Sequence, residues 1–131
     1  PGIAAFAAAL ARPADWAAVA ARRARLEAAL QAEGAIIHGA AAPRLPHISN
    51  VGLPGVKAGT QVMALDLAGC SVSAGAACSS GKVATSHVLA AMGLGPAAGE
   101  AIRISLGPDT SDADVDGFIA AWRAMAARLR P

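Results

Sequence analysis

Cys78 is the residue whose type and surroundings best suit covalent chemistry. It lies in a run of alanine, glycine and serine over 74–82, which offers no side chain large enough to anchor it in a core. Backbone N–H groups, the hydroxyls of Ser79 and Ser80 and the charge of Lys82 favour the thiolate, the nucleophilic form of cysteine. We therefore predict an accessible nucleophile on a mobile loop. The alternative is a free cysteine that behaves as a small hydrophobic side chain.

Arg103 is the second candidate. It lies between Ile102 and Ile104 in a run with period-two alternation, so its side chain is expected on the sheet face opposite theirs. A guanidinium in that position can bind a carboxylate through two parallel hydrogen bonds. The alternatives are a structural ion pair and a solvated sheet face.

The other cysteine and the histidines carry weaker signals. Cys70 begins an apolar run, so we predict a buried position at the start of a strand. A disulfide to Cys78 is possible by spacing, but the two do not form a Cys-x-x-Cys pair and a reducing compartment disfavours the bond. His38, His47 and His87 have no second ligand at metal-binding spacing, and two cysteines are too few for a zinc or iron–sulfur site.

The elements that must position these residues follow from periodicity and punctuation. Helices are predicted over 2–11, from Pro13 to a stop at Gly34, over 61–68 behind an N-cap at Thr60, from Thr85 or Ser86 to Met92, and after the Ser111–Asp114 capping box. Strands are predicted over 35–38, 46–53, 70–73 and 101–106. The order indicates an α+β or α/β layered architecture, in which helices from both chain ends cover one face of a small sheet.

Length and composition narrow the function classes. The 131 residues favour one domain, and 55% hydrophobic with 15% charged residues excludes disorder as the main state. A net charge of +2 and an aromatic content of 3% argue against nucleic-acid binding. The longest stretch without charge, residues 83–99, is too short to span a membrane. With no secretory signal and only two cysteines, we expect a cytoplasmic protein, and the missing initiator methionine suggests a processed, cut or incomplete chain.

Two segments resemble the cysteine desulfurases, the NifS-like branch of the class V aminotransferases. Residues 72–81 and 85–93 are similar to the family's active-site cysteine segment, in the form with a long loop, and residues 102–107 with the acidic turn and terminal helix are similar to its closing motif. The resemblance implies that the Cys78 thiolate takes sulfur from L-cysteine, leaving a persulfide and L-alanine. It further implies that Arg103 binds the substrate α-carboxylate, and that the enzyme is a homodimer that uses pyridoxal 5'-phosphate and passes sulfur to an acceptor such as an iron–sulfur scaffold.

The resemblance also implies that only part of such an enzyme is present. Lys57 and Lys82 are the only lysines, and neither has the His-Lys setting of the family's cofactor lysine, so no cofactor-binding residue is expected in this chain. Ala74 and Ala76 replace serines expected in the loop. Residues 1–12 are interpreted as the helix leading out of an absent cofactor domain and 13–131 as the C-terminal small domain of a fold-type I transferase. On this interpretation the fragment alone is inactive. The alternatives are a non-catalytic persulfide carrier or dimerisation module, and a selenocysteine lyase.

Overall fold

Five helices and four short strands make up the described part of the chain. The structure, a computed structural model, describes residues 2–11, 13–75 and 85–130. The helices are α1 (Gly2–Ala11), α2 (Trp16–Ala32), α3 (Ala58–Leu67), α4 (His87–Ala91) and α5 (Asp112–Leu129), with a 3₁₀ turn at Gly95–Gly99. The strands are β1 (Ile36–His38), β2 (Ile48–Gly52), β3 (Ser73–Ala74) and β4 (Ala101–Ser105).

The strands form one antiparallel sheet in the order β1-β2-β4-β3. One face carries Ile37, Val51, Ile102 and Ile104, which are all buried. They pack in a single core with side chains of three helices, namely Leu26 and Leu30 of α2, Leu65 of α3 and Ile119 and Trp122 of α5. This α+β arrangement confirms the predicted fold class.

A small second cluster covers one end of the opposite face of the sheet. There Ala101 packs against Leu89 of α4 and Ala98 of the 3₁₀ turn. Arg103 lies further along β4 on this face and is exposed. Within the described ranges this face, the open face, is therefore accessible at Arg103.

The helix starts show where local signals succeed and fail. Ser86 caps α4, and Ser111 and Asp114 form the predicted capping box at α5. The predicted cap at Thr60 is wrong, because α3 begins at Ala58 with Lys57 as its N-cap. The Lys57 carbonyl already accepts hydrogen bonds from the backbone N–H groups of Thr60 and Gln61, which makes Thr60 part of the first helical turn.

Two further expectations are corrected, and one element was not predicted. The helix at the amino end does not cover the sheet, since its large side chains Ile3, Phe6 and Leu10 are all exposed. The third strand is not 70–73 but Ser73–Ala74, because the Cys70 N–H still closes the end of α3 by donating to the Leu65 carbonyl, 2.8 Å away. The 3₁₀ turn before β4 was not predicted, since its Gly-Pro-Ala-Ala-Gly sequence carries no apolar periodicity.

Candidate functional site

Four polar residues form a row across the open face of the sheet. The antiparallel register pairs His38 with Asn50, Asn50 with Arg103 and Arg103 with Ser73. Directly opposed residues share a face, with Cβ atoms about 4.5–5.5 Å apart. The row therefore places a guanidinium between an amide and a hydroxyl, one from each neighbouring strand.

Arg103 lies where the alternation predicted it, opposite the buried Ile102 and Ile104. Within the described ranges it makes neither a hydrogen bond nor an ion pair. Of the described strand residues that share its face, none is acidic; they are Ile36, His38, Ile48, Asn50, Gly52, Ser73, Ala101 and Ser105. The structural ion pair that we considered from the sequence is thus not formed among residues 2–11, 13–75 and 85–130, and the guanidinium is open to an anionic ligand.

The amide beside Arg103 and the imidazole on the far side of that amide each have one atom shielded from solvent. The Asn50 Oδ1 and the His38 Nε2 atoms are both buried, and neither has a hydrogen-bond partner within the described residues. Burial lowers the pKa of His38, so its imidazole is neutral at pH 7. A Cβ on Gly52 would lie 2.7 Å from the His38 Nε2, so the imidazole occupies space that only a glycine leaves free. Sequence analysis missed Asn50, although its period-two position in β2 was the available signal.

Gln61 joins α3 to the strand that carries Arg103. Its fully buried side chain donates from Nε2 to the Val56 carbonyl at 2.8 Å and to the Glu100 carbonyl at 2.7 Å. Glu100 precedes β4, and its carbonyl also accepts from the Leu53 N–H at 3.1 Å. These bonds hold together the start of α3, the end of β2 and the start of β4.

A cavity of about 600 Å³ adjoins this junction. Gly75, which follows β3, and Thr85, which precedes α4, both line it. The remaining wall comes mainly from the start of α3 and the 3₁₀ turn, and includes Glu100 and the exposed Lys57. The two ends of the segment that contains Cys78 therefore meet at one cavity.

The other predicted site residues are scattered. Cys78 and Lys82 lie outside the described residues. Cys70 is a half-buried free cysteine that follows α3, rather than a buried strand residue. His47 precedes β2 and its ring lies 5.1 Å from that of Trp16, while His87 is exposed as the first residue of α4. Of the described ones, Cys70, His47 and His87 are not register partners of Arg103 in the sheet.

Two kinds of site are absent from the part of the chain that is described. It contains no group of three or more histidine, cysteine or carboxylate side chains placed to hold a metal ion. Nor does any helix within these ranges have the length and apolarity needed to cross a membrane.

The sequence is similar to cysteine desulfurases. The family model described as Aminotransferase class-V matches residues 2–118. The chain is 39% identical over 135 residues to the cysteine desulfurase of Cereibacter sphaeroides, covering 99% of this chain and 35% of that protein. It is 38% identical over 88 residues to the cysteine desulfurase of Gluconacetobacter diazotrophicus, covering 66% of this chain and 22% of that protein. The chain thus spans about a third or less of the length of these relatives.

The fold is similar to that of solved NifS-like proteins. The NifS-like protein from Rickettsia africae superposes with a TM-score of 0.73 at 27% identity, covering 84% of this chain and 28% of that one. A second structure titled NifS-like protein gives a TM-score of 0.69 at 28% identity, covering 83% of this chain and 27% of its own. The helices and the antiparallel sheet thus have counterparts within larger solved proteins.

Proposed function

Because this chain belongs to the class-V aminotransferase family, we propose that it is the C-terminal small domain of a cysteine desulfurase. Residues 13–131 form that domain on this proposal, and residues 1–12 are the helix that leads to it from a cofactor domain. The exposed apolar side chains of α1 support this division, since they need a partner that the described residues do not supply. The proposed full-length enzyme is a cytoplasmic homodimer that passes sulfur to an acceptor protein, such as an iron–sulfur scaffold.

The observation that carries the proposal is the position of Arg103. Its unpaired guanidinium lies on an open sheet face, in register with Ser73 of the strand that leads towards Cys78. Cys78 follows Ser73 by five residues, and five residues span at most about 18 Å. The chain between them is thus short enough for the Cys78 thiol to approach a carboxylate bound by Arg103, as the proposal requires.

In the proposed reaction Arg103 binds the α-carboxylate of L-cysteine, and the Cys78 thiolate attacks the substrate sulfur. The S–S bond forms as the substrate C–S bond breaks, and the substrate carbon ends with a proton in place of sulfur. L-cysteine and the Cys78 thiol are thereby converted to L-alanine and a Cys78 persulfide. Covalent catalysis of this kind separates sulfur removal from sulfur delivery.

The family implies pyridoxal 5'-phosphate, but the described residues do not fit this cofactor. Lys57, the one lysine among them, is exposed at the start of α3. Among the described residues that line the cavity beside it, none has an aromatic ring or imidazole that could stack on a pyridine ring. We therefore propose that the cofactor binds to another part of the full-length protein.

The test is to incubate the full-length protein that carries this sequence with L-cysteine. We expect L-alanine, and one additional sulfur atom on the peptide that contains Cys78 in its mass spectrum. Cys78→Ser should abolish the persulfide with little change in melting temperature, because the substitution is nearly isosteric. No L-alanine, with sulfur accepted only from an external persulfide, would instead identify a carrier, and release of L-alanine from selenocysteine alone would identify a selenocysteine lyase.

A further inference from the structure

Asn50 is a polar residue of the open face that has no role in the proposed reaction. Its Oδ1 atom is shielded from solvent and has no hydrogen-bond partner among the described residues. Burying an unpaired carbonyl oxygen of this kind carries a desolvation cost. A side chain that bears this cost in one state of a protein is expected to acquire a donor in another.

Asn50 has two register partners with donors on this sheet face, since the neutral His38 imidazole has a single N–H and Arg103 has five. Asn50 and Arg103 are direct partners in the β2–β4 register, so their side chains leave the same face at neighbouring positions. A guanidinium has five N–H donors and no acceptor, whereas Asn50 has an unpaired acceptor. Among the described residues no carboxylate competes for Arg103.

We infer that Asn50 is a positioning residue for Arg103, and that its Oδ1 accepts a hydrogen bond from one guanidinium N–H while the substrate carboxylate is bound. This inference rests on the proposed function. One N–H group is used by Asn50, and the parallel pair on another edge of the guanidinium stays free for the two carboxylate oxygens. Asn50 holds the plane of the guanidinium and leaves its positive charge unchanged.

The test compares two ligands of the full-length protein that differ in the carboxylate. L-alanine, the proposed product, has the α-carboxylate, and ethylamine lacks it. Calorimetric dissociation constants are measured for wild type, Arg103→Ala, Asn50→Ala, Asn50→Asp and Ser105→Ala. Ser105 lies on the same face of β4, two residues beyond Arg103, and serves as the matched control.

Asn50→Ala should weaken the binding of L-alanine about tenfold and leave the binding of ethylamine unchanged, as expected for one hydrogen bond to a charged group. Asn50→Asp should weaken the binding of L-alanine further, because a carboxylate opposite Arg103 competes with the carboxylate of the ligand. In steady-state assays the KM for L-cysteine should rise with these losses while kcat changes less. Ser105→Ala should match wild type in all three measurements.

Two results would overturn the role of Asn50. The first is an Asn50→Ala protein that binds L-alanine as tightly as wild type, although Arg103→Ala binds it more weakly. The second is an equal loss of affinity for both ligands in Asn50→Ala, which would indicate a general structural role. Failure of the proposed function is a different result, in which the wild-type protein releases no L-alanine from L-cysteine.

Discussion

Arg103 and Ile104 are adjacent in β4, and their substitution by alanine should separate ligand binding from stability. Ile104 is 5% exposed within the main core, so Ile104→Ala should cost about 2–5 kcal/mol in the free energy of unfolding. Arg103 is exposed on the other face and has no partner among the described residues, so Arg103→Ala should change that free energy by less than about 0.5 kcal/mol. The two variants should therefore differ several-fold in their effect on stability.

For ligand binding, Arg103→Ala should have the larger effect of the two variants. A charged, bidentate hydrogen bond contributes about 1.5–3 kcal/mol, so Arg103→Ala should weaken L-alanine binding to the full-length protein by roughly 10- to 150-fold. Ile104→Ala should retain wild-type affinity under conditions in which it is folded. Stability is measured by urea unfolding of this 131-residue chain, and affinity by calorimetry on the full-length protein.

Either of two outcomes would refute this reasoning. If Arg103→Ala destabilises the chain as much as Ile104→Ala, then Arg103 has a structural role that an unpaired position on an open face cannot provide. If Arg103→Ala leaves the affinity for L-alanine unchanged while the protein stays folded, Arg103 does not bind the carboxylate.

Two further predictions concern the core and the dependence of stability on pH. Trp122 is fully buried and Trp16 is 44% exposed, so Trp122→Ala should cost about 3–5 kcal/mol in urea unfolding and Trp16→Ala clearly less; equal costs would show that the core does not centre on α5. Burial raises the pKa of Glu27, but Arg44, which donates to both of its carboxylate oxygens at 2.7 and 3.1 Å, helps to bring the pKa below the ordinary 4.5. Because the folded state favours the carboxylate, its contribution is present above about pH 4.5 and is lost as the pH falls through the lowered pKa. Glu27→Gln should therefore have a free energy of unfolding about 1–3 kcal/mol below that of wild type at pH 7, and this difference should shrink in acid. A difference between the two proteins that does not depend on pH would contradict the reasoning.

Short-range signals predicted the elements but not all of their partners. The capping box of α5, the Ser86 cap and the alternation of β4 depend on residues three positions apart, or two in a strand, and the structure confirms all three. The predicted start of α3 was wrong because the helical hydrogen bonds already begin at the Lys57 carbonyl. The partner that the sequence could not show is the Glu100 carbonyl, which accepts from the buried Gln61 side chain 39 residues away. No local pattern contains that contact.

The candidate site was also predictable from the sequence only in part. Alternation alone determined that Arg103 lies on the face opposite Ile102 and Ile104, because successive side chains of a strand point to opposite sides. Only the tertiary structure decided that Asn50 and Ser73 flank it, since β2 and β3 are each separated from β4 along the chain by at least one helix. Sequence periodicity sets the direction of a side chain, whereas its neighbours across a sheet depend on how the strands pair, which the burial of the whole core determines.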